Sequence, residues 1–315
     1  MKEFRSYPIA FAGSGFDYFK IQIVNTILTI LTLGLYYPWA KEKSLKFLYG
    51  KSTFEETPFV FSGTGSEMFR GFIKAVAVLV VIYGLFFYLV LQGHNGWGIL
   101  VIYGGLLALV PLAIHGSYRY RMAKTSWRGI RFGYTGNRGE LVKLFFKGIF
   151  LTLVTFGIYG AWFTISLRNY VLGHVRVGNA RFVYSGDGSD FFWINFKGYL
   201  LTLVTLGIYS FWWQKDLFEY YVNNLRLEQE DDAVFFRSTA TGGDFAGLMI
   251  VNFLIMIFTL GLGYSWVVTR TMAFGANHIE ANGYYSFEQL LQSQAEYSDA
   301  TAEDMADLLD FGFVI

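Results

Sequence analysis

Five acidic residues, Asp17, Glu67, Glu140, Asp190 and Asp244, are each followed 17 positions later by a glycine: Gly34, Gly84, Gly157, Gly207 and Gly261. A tryptophan stands 22 positions after four of the acids, as Trp39, Trp162, Trp212 and Trp266, with Leu89 in the second copy. Thr32, Thr155, Thr205 and Thr259 stand at position 15, where the second copy has Ile82. Upstream, Gly13, Gly63, Gly136 and Gly186 lie four residues before the acid, with Ala240 in the fifth copy. They follow the period-two pairs Ile9/Phe11, Phe59/Phe61, Phe132/Tyr134 and Phe182/Tyr184. This register reads as five internal repeats starting near residues 9, 59, 132, 182 and 236. Each predicts a short strand, a turn, an acidic helix start, a membrane helix and a charged extension. Gly178-Asn179, between Val175/Val177 and Phe182/Tyr184, predicts a two-residue β-hairpin.

The chain is 54% hydrophobic and only 16% charged, which points to a bilayer rather than water as its solvent. Six windows lack Asp, Glu, Lys and Arg: 21–40, 75–92, 97–114, 148–167, 198–214 and 245–269. Each approaches the length needed to cross a ~30 Å hydrocarbon core. The expected fold is an α-helical integral membrane protein with about six spans and short extramembrane β-hairpins. A repeated multi-pass domain covers 1–279, and an acidic tail covers 280–315. The second and third windows are joined by the tight break Gly93-His94-Asn95-Gly96. Tyr36, Trp39, Tyr159, Trp162, Tyr209, Trp212, Tyr264 and Trp266 gather at window ends as an interfacial belt.

The acids at Asp17, Glu67, Glu140, Asp190 and Asp244 suit helix starts, where a carboxylate accepts from unpaired backbone N–H groups. Under single crossings they alternate between the two membrane faces. Asn25, Thr32, Thr155, Thr205 and Thr259, with Gly34, Gly157, Gly207 and Gly261, form the candidate cavity or helix-packing set. The hydroxyls either bond their own backbone or line a solute path. The glycines allow close helix approach or a break of the kind found in inverted-repeat transporters.

There is no cysteine, and His94, His115, His174 and His278 lack the spacing of metal ligands. No phosphate loop, triad or paired carboxylate stands out. The reading is therefore of a non-enzyme without cofactor or metal. Residues 1–20 lack the apolar core of a cleavable signal.

Ile23-Val-Asn25, Leu28-Thr-Ile-Leu-Thr-Leu-Gly-Leu-Tyr-Tyr-Pro-Trp-Ala-Lys41 and Phe59-Val-Phe-Ser-Gly63 resemble the YjgN-like family of bacterial inner-membrane proteins, a domain of unknown function. The resemblance runs from about residue 9 to 278. It implies a bacterial inner-membrane location and no particular reaction. Only the first copy keeps the Leu-Thr-Leu-Gly-x-Tyr-x-Pro-Trp-Ala-Lys run in full.

With single crossings, segments 41–74, 115–147 and 215–244 share one side and carry 17 of the 25 Lys and Arg, which places them in the cytoplasm. A re-entrant arrangement, with Thr-Leu-Gly at a hairpin tip, is disfavoured because it would return Lys41, Lys43, Lys215 and Arg270 to hydrocarbon. The basic stretch 119–147 is expected against anionic headgroups. Two functions fit: a facilitative transporter or channel for a small solute or lipid, or a non-catalytic scaffold or envelope adaptor. Expected partners are the lipid bilayer, that solute or lipid, and a protein recruited by the tail, where Thr301–Asp310 reads as a short amphipathic helix. Nucleic acid is not expected.

Overall fold

The structure is a computed structural model that describes residues 4–230 and 232–284. Five helix pairs alternate with short strands. The chain opens with β1 (Arg5–Tyr7) and β2 (Ile9–Phe11), then α1 (Gly15–Leu31) and α2 (Tyr37–Lys51). The second unit is β3 (Ser52–Phe54), β4 (Thr57–Phe61), α3 (Gly65–Leu91) and α4 (Asn95–Lys124). The third is β5 (Thr125–Trp127), β6 (Ile130–Tyr134), α5 (Arg138–Val154) and α6 (Gly160–Gly173). The fourth is β7 (Val175–Val177), β8 (Ala180–Tyr184), α7 (Gly188–Val204) and α8 (Ser210–Asn223). The fifth is β9 (Leu225–Gln229), β10 (Asp232–Ser238), α9 (Gly242–Phe258) and α10 (Tyr264–Asn277), followed by β11 (Ile279–Tyr284).

All eleven strands form one antiparallel sheet, in the order β1-β11-β10-β9-β8-β7-β6-β5-β4-β3-β2. Its two edge strands are consecutive in the chain and joined through Pro8, so the sheet curls into a nearly closed barrel. Pro8 has no N–H to donate, which suits the one interruption in the ladder. The Tyr7 hydroxyl donates to the Gly283 carbonyl of the paired β11, and the Tyr7 ring meets Phe54 of β3 across the break.

This sheet overturns the expected six-span helical fold with isolated hairpins. The strand leading into each helix pair hydrogen-bonds the strand leaving it: β2 with β3, β4 with β5, β6 with β7, β8 with β9 and β10 with β11. Each pair thus departs from the sheet and comes back to it. Asn25 Nδ2 donating to the Ala40 carbonyl (3.1 Å), and Tyr18 stacked on Phe47, fix the antiparallel course of α1 and α2. The single-crossing count and the orientation drawn from it are void, because the segments assigned to opposite faces are neighbours in one sheet. The five acids likewise share the sheet end of the helices.

The cause lies in the windows. Four of the six apolar windows contain the end of one helix, a turn and the start of another, so no helix runs their length. The first helices of those four pairs have 17 residues, about 25 Å, and their partners 14 or 15. Among the described residues only α3, with 27 residues, and α4, with 30, are long and apolar enough to cross a membrane. Charges that argued against a re-entrant course are partnered: Lys43 reaches the Tyr36 hydroxyl (2.8 Å), Lys215 pairs with Asp216 and Glu219, and Arg270 donates to Asn252.

Around the sheet, every helix packs on the next, and α10 packs back on α1, closing a ring of ten helices. Residues 280–284, grouped with the acidic tail by charge, belong to β11. Residues 285–315, and with them the Thr301–Asp310 segment, lie outside the described residues.

Candidate functional site

The four short turns share one geometry. Thr32, Thr155, Thr205 and Thr259 are the C-caps of α1, α5, α7 and α9. Each hydroxyl donates to the carbonyl four residues back and accepts the backbone N–H four residues on, as Thr32 does with Leu28 (2.7 Å) and Tyr36 (3.0 Å). The hydroxyls tie the turn. Next come Leu33, Phe156, Leu206 and Leu260 at φ of 50–52°, then Gly34, Gly157, Gly207 and Gly261 at φ of 87–97°. The N–H of each glycine bonds the carbonyl five residues back, the C-terminal motif that satisfies orphan helix carbonyls. A left-handed conformation costs an L-residue such as Leu roughly 1–2 kcal/mol. These four residues are also the most exposed apolar side chains among those described, at 93–98%. Gly84, in register with the other four by sequence, lies inside α3, where no turn exists.

The acids occupy the third helical position of every first helix. Glu67 and Asp244 complete reciprocal capping boxes with Thr64 and Thr241. The Asp17, Glu140 and Asp190 N–H groups bond Ser14, Asn137 and Asp187 respectively. Glu67 also binds Lys124 (2.7 Å) and the Tyr120 hydroxyl (3.1 Å), and Glu140 accepts from Tyr170 (3.2 Å).

Asn25 lies apart from the turn threonines. Its side chain is buried, Nδ2 is bonded to Ala40, and Oδ1 has no hydrogen-bond partner. It lines a pocket of about 380 Å³ with Gln22, Thr29, Lys41 and Ser44, closed on one side by Tyr264 of α10. A second pocket, of about 340 Å³, lies between the Gly157 turn and α7.

A third space was not foreseen from the sequence. The residues eight positions before the acids all face the inside of the curled sheet, paired across strands as Ile9 with Phe54, Phe59 with Trp127, Phe132 with Val177, Phe182 with Leu227 and Phe236 with Ala281. Nine of these ten line a cavity of about 260 Å³ with no polar surface; Ala281 lies behind them in the buried core. The period-two pairs marked these positions as strand, but alternation alone does not say which face closes on itself. At the helix end of the same strands, Arg168 of α6 lies over the rings of Tyr221 (4.1 Å) and Tyr184 (5.1 Å). Burial pushes the Tyr184 phenol above its usual range despite that cation. Among the described residues no group of His, Asp and Glu could hold a metal ion.

The class the fold defines is a curled antiparallel sheet ringed by helix pairs, with two helices among the described residues long and apolar enough to cross a membrane. The chain belongs to the YjgN-like family: the family model described as "Bacterial protein of unknown function (DUF898)" matches residues 6–183, 179–231 and 213–308. It is 30% identical over 176 residues to the inner membrane protein YjgN of Salmonella typhimurium, covering 52% of this chain and 43% of that protein. It is 33% identical over 129 residues to inner membrane protein YjgN of Escherichia coli O157:H7, covering 41% and 31%. The chain thus spans less than half the length of these curated relatives. No solved structure matches it.

Proposed function

We propose that this chain is a bacterial inner-membrane protein that dips helix hairpins into the bilayer from the face bearing its sheet, and that it handles lipid rather than a polar solute. The observation that carries this reading is the set of turn residues Leu33, Phe156, Leu206 and Leu260, strained and almost wholly exposed. In water such residues would cost both conformational energy and apolar exposure. In hydrocarbon the exposure becomes favourable, at about 25 cal/mol per Å². The names of the relatives support the membrane assignment. The all-apolar sheet cavity supports lipid over polar solute. The reading involves no catalysis.

The chain has no native cysteine, so single cysteines report topology cleanly. Cysteines at the sheet turns, Glu56, Arg128 and Asn179, are expected to react with an impermeant maleimide from the same side of the membrane, and His94, between α3 and α4, from the other. Labelling of Glu56 and Asn179 from opposite sides would overturn the re-entrant reading.

A further inference from the structure

Membrane embedding accounts for the helices and their turns, but not for the space inside the sheet. Well-packed interiors leave few voids larger than a water molecule. Here Phe59, Trp127, Phe132, Val177, Phe182 and Leu227 surround about 260 Å³ with no polar surface. Engineered apolar cavities of about 150 Å³ stay dry and take hydrocarbon ligands. Taking a methylene as about the size of a water molecule, ~30 Å³, the space suits a chain of about nine carbons.

The helix end of the cavity is different in character. Phe182 lines it, and Tyr184, two residues on and therefore on the same face of β8, carries Arg168 over its ring. Tyr221 flanks the same guanidinium, and Leu225 both lines the cavity and packs against this aromatic cluster. The Tyr134 hydroxyl, on the equivalent position of β6, is buried without a hydrogen-bond partner. A half-buried guanidinium with phenolic donors at one end of a hydrocarbon-lined space matches an amphiphile with one chain and one planar anion, which Arg binds by charge-assisted, bidentate hydrogen bonds.

We propose that the sheet cavity holds the hydrocarbon chain of a fatty acid and that Arg168 binds its carboxylate. This deepens, and rests on, the lipid-handling reading. Trp127 lies in the cavity wall and is a built-in reporter.

The protein is reconstituted in nanodiscs and titrated with a fatty acid brominated along its chain, which quenches tryptophan on contact. The part of the emission lost in Trp127→Phe is expected to be quenched saturably. Dodecanoate should displace the quencher and its methyl ester should not. Arg168→Gln should weaken binding about tenfold or more, the loss expected for a hydrogen bond to a charged group, and Arg168→Lys should recover part of it. Val177→Trp, which fills the cavity, should abolish the Trp127-specific quenching. If the other tryptophans are quenched but the Trp127 component is not, or if the methyl ester competes equally, the fatty-acid assignment is overturned while membrane embedding stands. If no tryptophan is quenched, the embedding itself is overturned as well.

Discussion

Trp266, at the start of the last helix, packs its indole against Gly15, at the start of the first: a Cβ on Gly15 would lie 2.8 Å from the indole Cγ. This contact closes the helix ring, and it recurs at three further seams. Trp39 covers Gly65, Trp162 covers Gly188 and Trp212 covers Gly242. The remaining seam, between α4 and α5, has Arg138 at the glycine position, and Leu89, in register with the tryptophans by sequence, belongs to α3 and not to the helix that packs on α5. The aromatic residues read as an interfacial belt are thus in part wedges between neighbouring hairpins.

That pairing makes a double substitution informative. Gly188→Arg alone should destabilise the protein by about 1–3 kcal/mol, the usual cost of overpacking. Adding Trp162→Leu should recover much of that loss. Thermal unfolding of the two single variants and the double variant measures the coupling. Strictly additive losses would show that the glycine serves some purpose other than admitting the indole.

A second glycine follows the same logic within one unit. The rings of Phe61 and Tyr184 fold over Gly63 and Gly186, where an added Cβ would meet them at 2.6 and 2.7 Å. In the fifth unit the aromatic is replaced by Ser238, and the glycine by Ala240. Gly186→Ala should therefore lower the unfolding temperature in the native background, and by less beside Tyr184→Ser, where the Tyr220 hydroxyl still meets the added Cβ at 2.9 Å. An equal drop in both backgrounds would count against the steric account.

The pH dependence of the fourth hairpin is set by Asp187, whose carboxylate accepts from the Ser189 and Asp190 N–H groups at the start of α7 (2.8 and 3.2 Å). These backbone bonds hold its pKa below the ordinary aspartate value. A depressed folded-state pKa contributes stability above the unfolded-state value, near 3.9, and loses it as pH falls through the lower folded-state value. Asp187→Asn, which keeps an oxygen acceptor for the cap, should leave stability at neutral pH nearly unchanged and flatten the acid limb of the stability–pH profile. Hydrogen exchange at α7 amides between pH 5 and 2 would report it, and an unaltered acid limb would refute the assignment.

Much of the local structure was legible in the chain. The register of acid, glycine and threonine marked helix starts and ends. Gly178-Asn179 marked a hairpin, found between β7 and β8, and the Gly93-His94 break marked the α3–α4 connection. Other hairpins were hidden because their left-handed positions hold Glu55 and Glu56, or Arg128 before Gly129, in place of the usual Asn-Gly. Arg128 pairs with Glu55 (2.6 Å), a contact between turns that no local pattern encodes. The decisive gap was Leu33, Phe156, Leu206 and Leu260: an apolar residue in the left-handed region leaves a hydropathy window unbroken, so a turn reads as the middle of a span. The sheet cavity was out of reach for another reason, since closure of β1 against β11 is a long-range pairing.

The strain at those turns can be set against the environment they enter. Leu33→Gly relieves the left-handed penalty, so in detergent the α1–α2 turn should gain roughly 1 kcal/mol. The same change removes an apolar side chain that is 95% exposed, and a buried leucine contributes about 1.5–3 kcal/mol relative to an exposed one. Relief of strain and loss of anchoring therefore pull in opposite directions, and the second is the larger. Replacing Leu33, Leu206 and Leu260 together by Gly should raise the unfolding temperature in a mild detergent yet weaken retention in liposomes during urea extraction. The corresponding Leu→Asp variants should fail in both. Liposome retention unchanged by the triple glycine variant would mean that these side chains meet protein or water, and that the hairpins do not enter the bilayer at their tips.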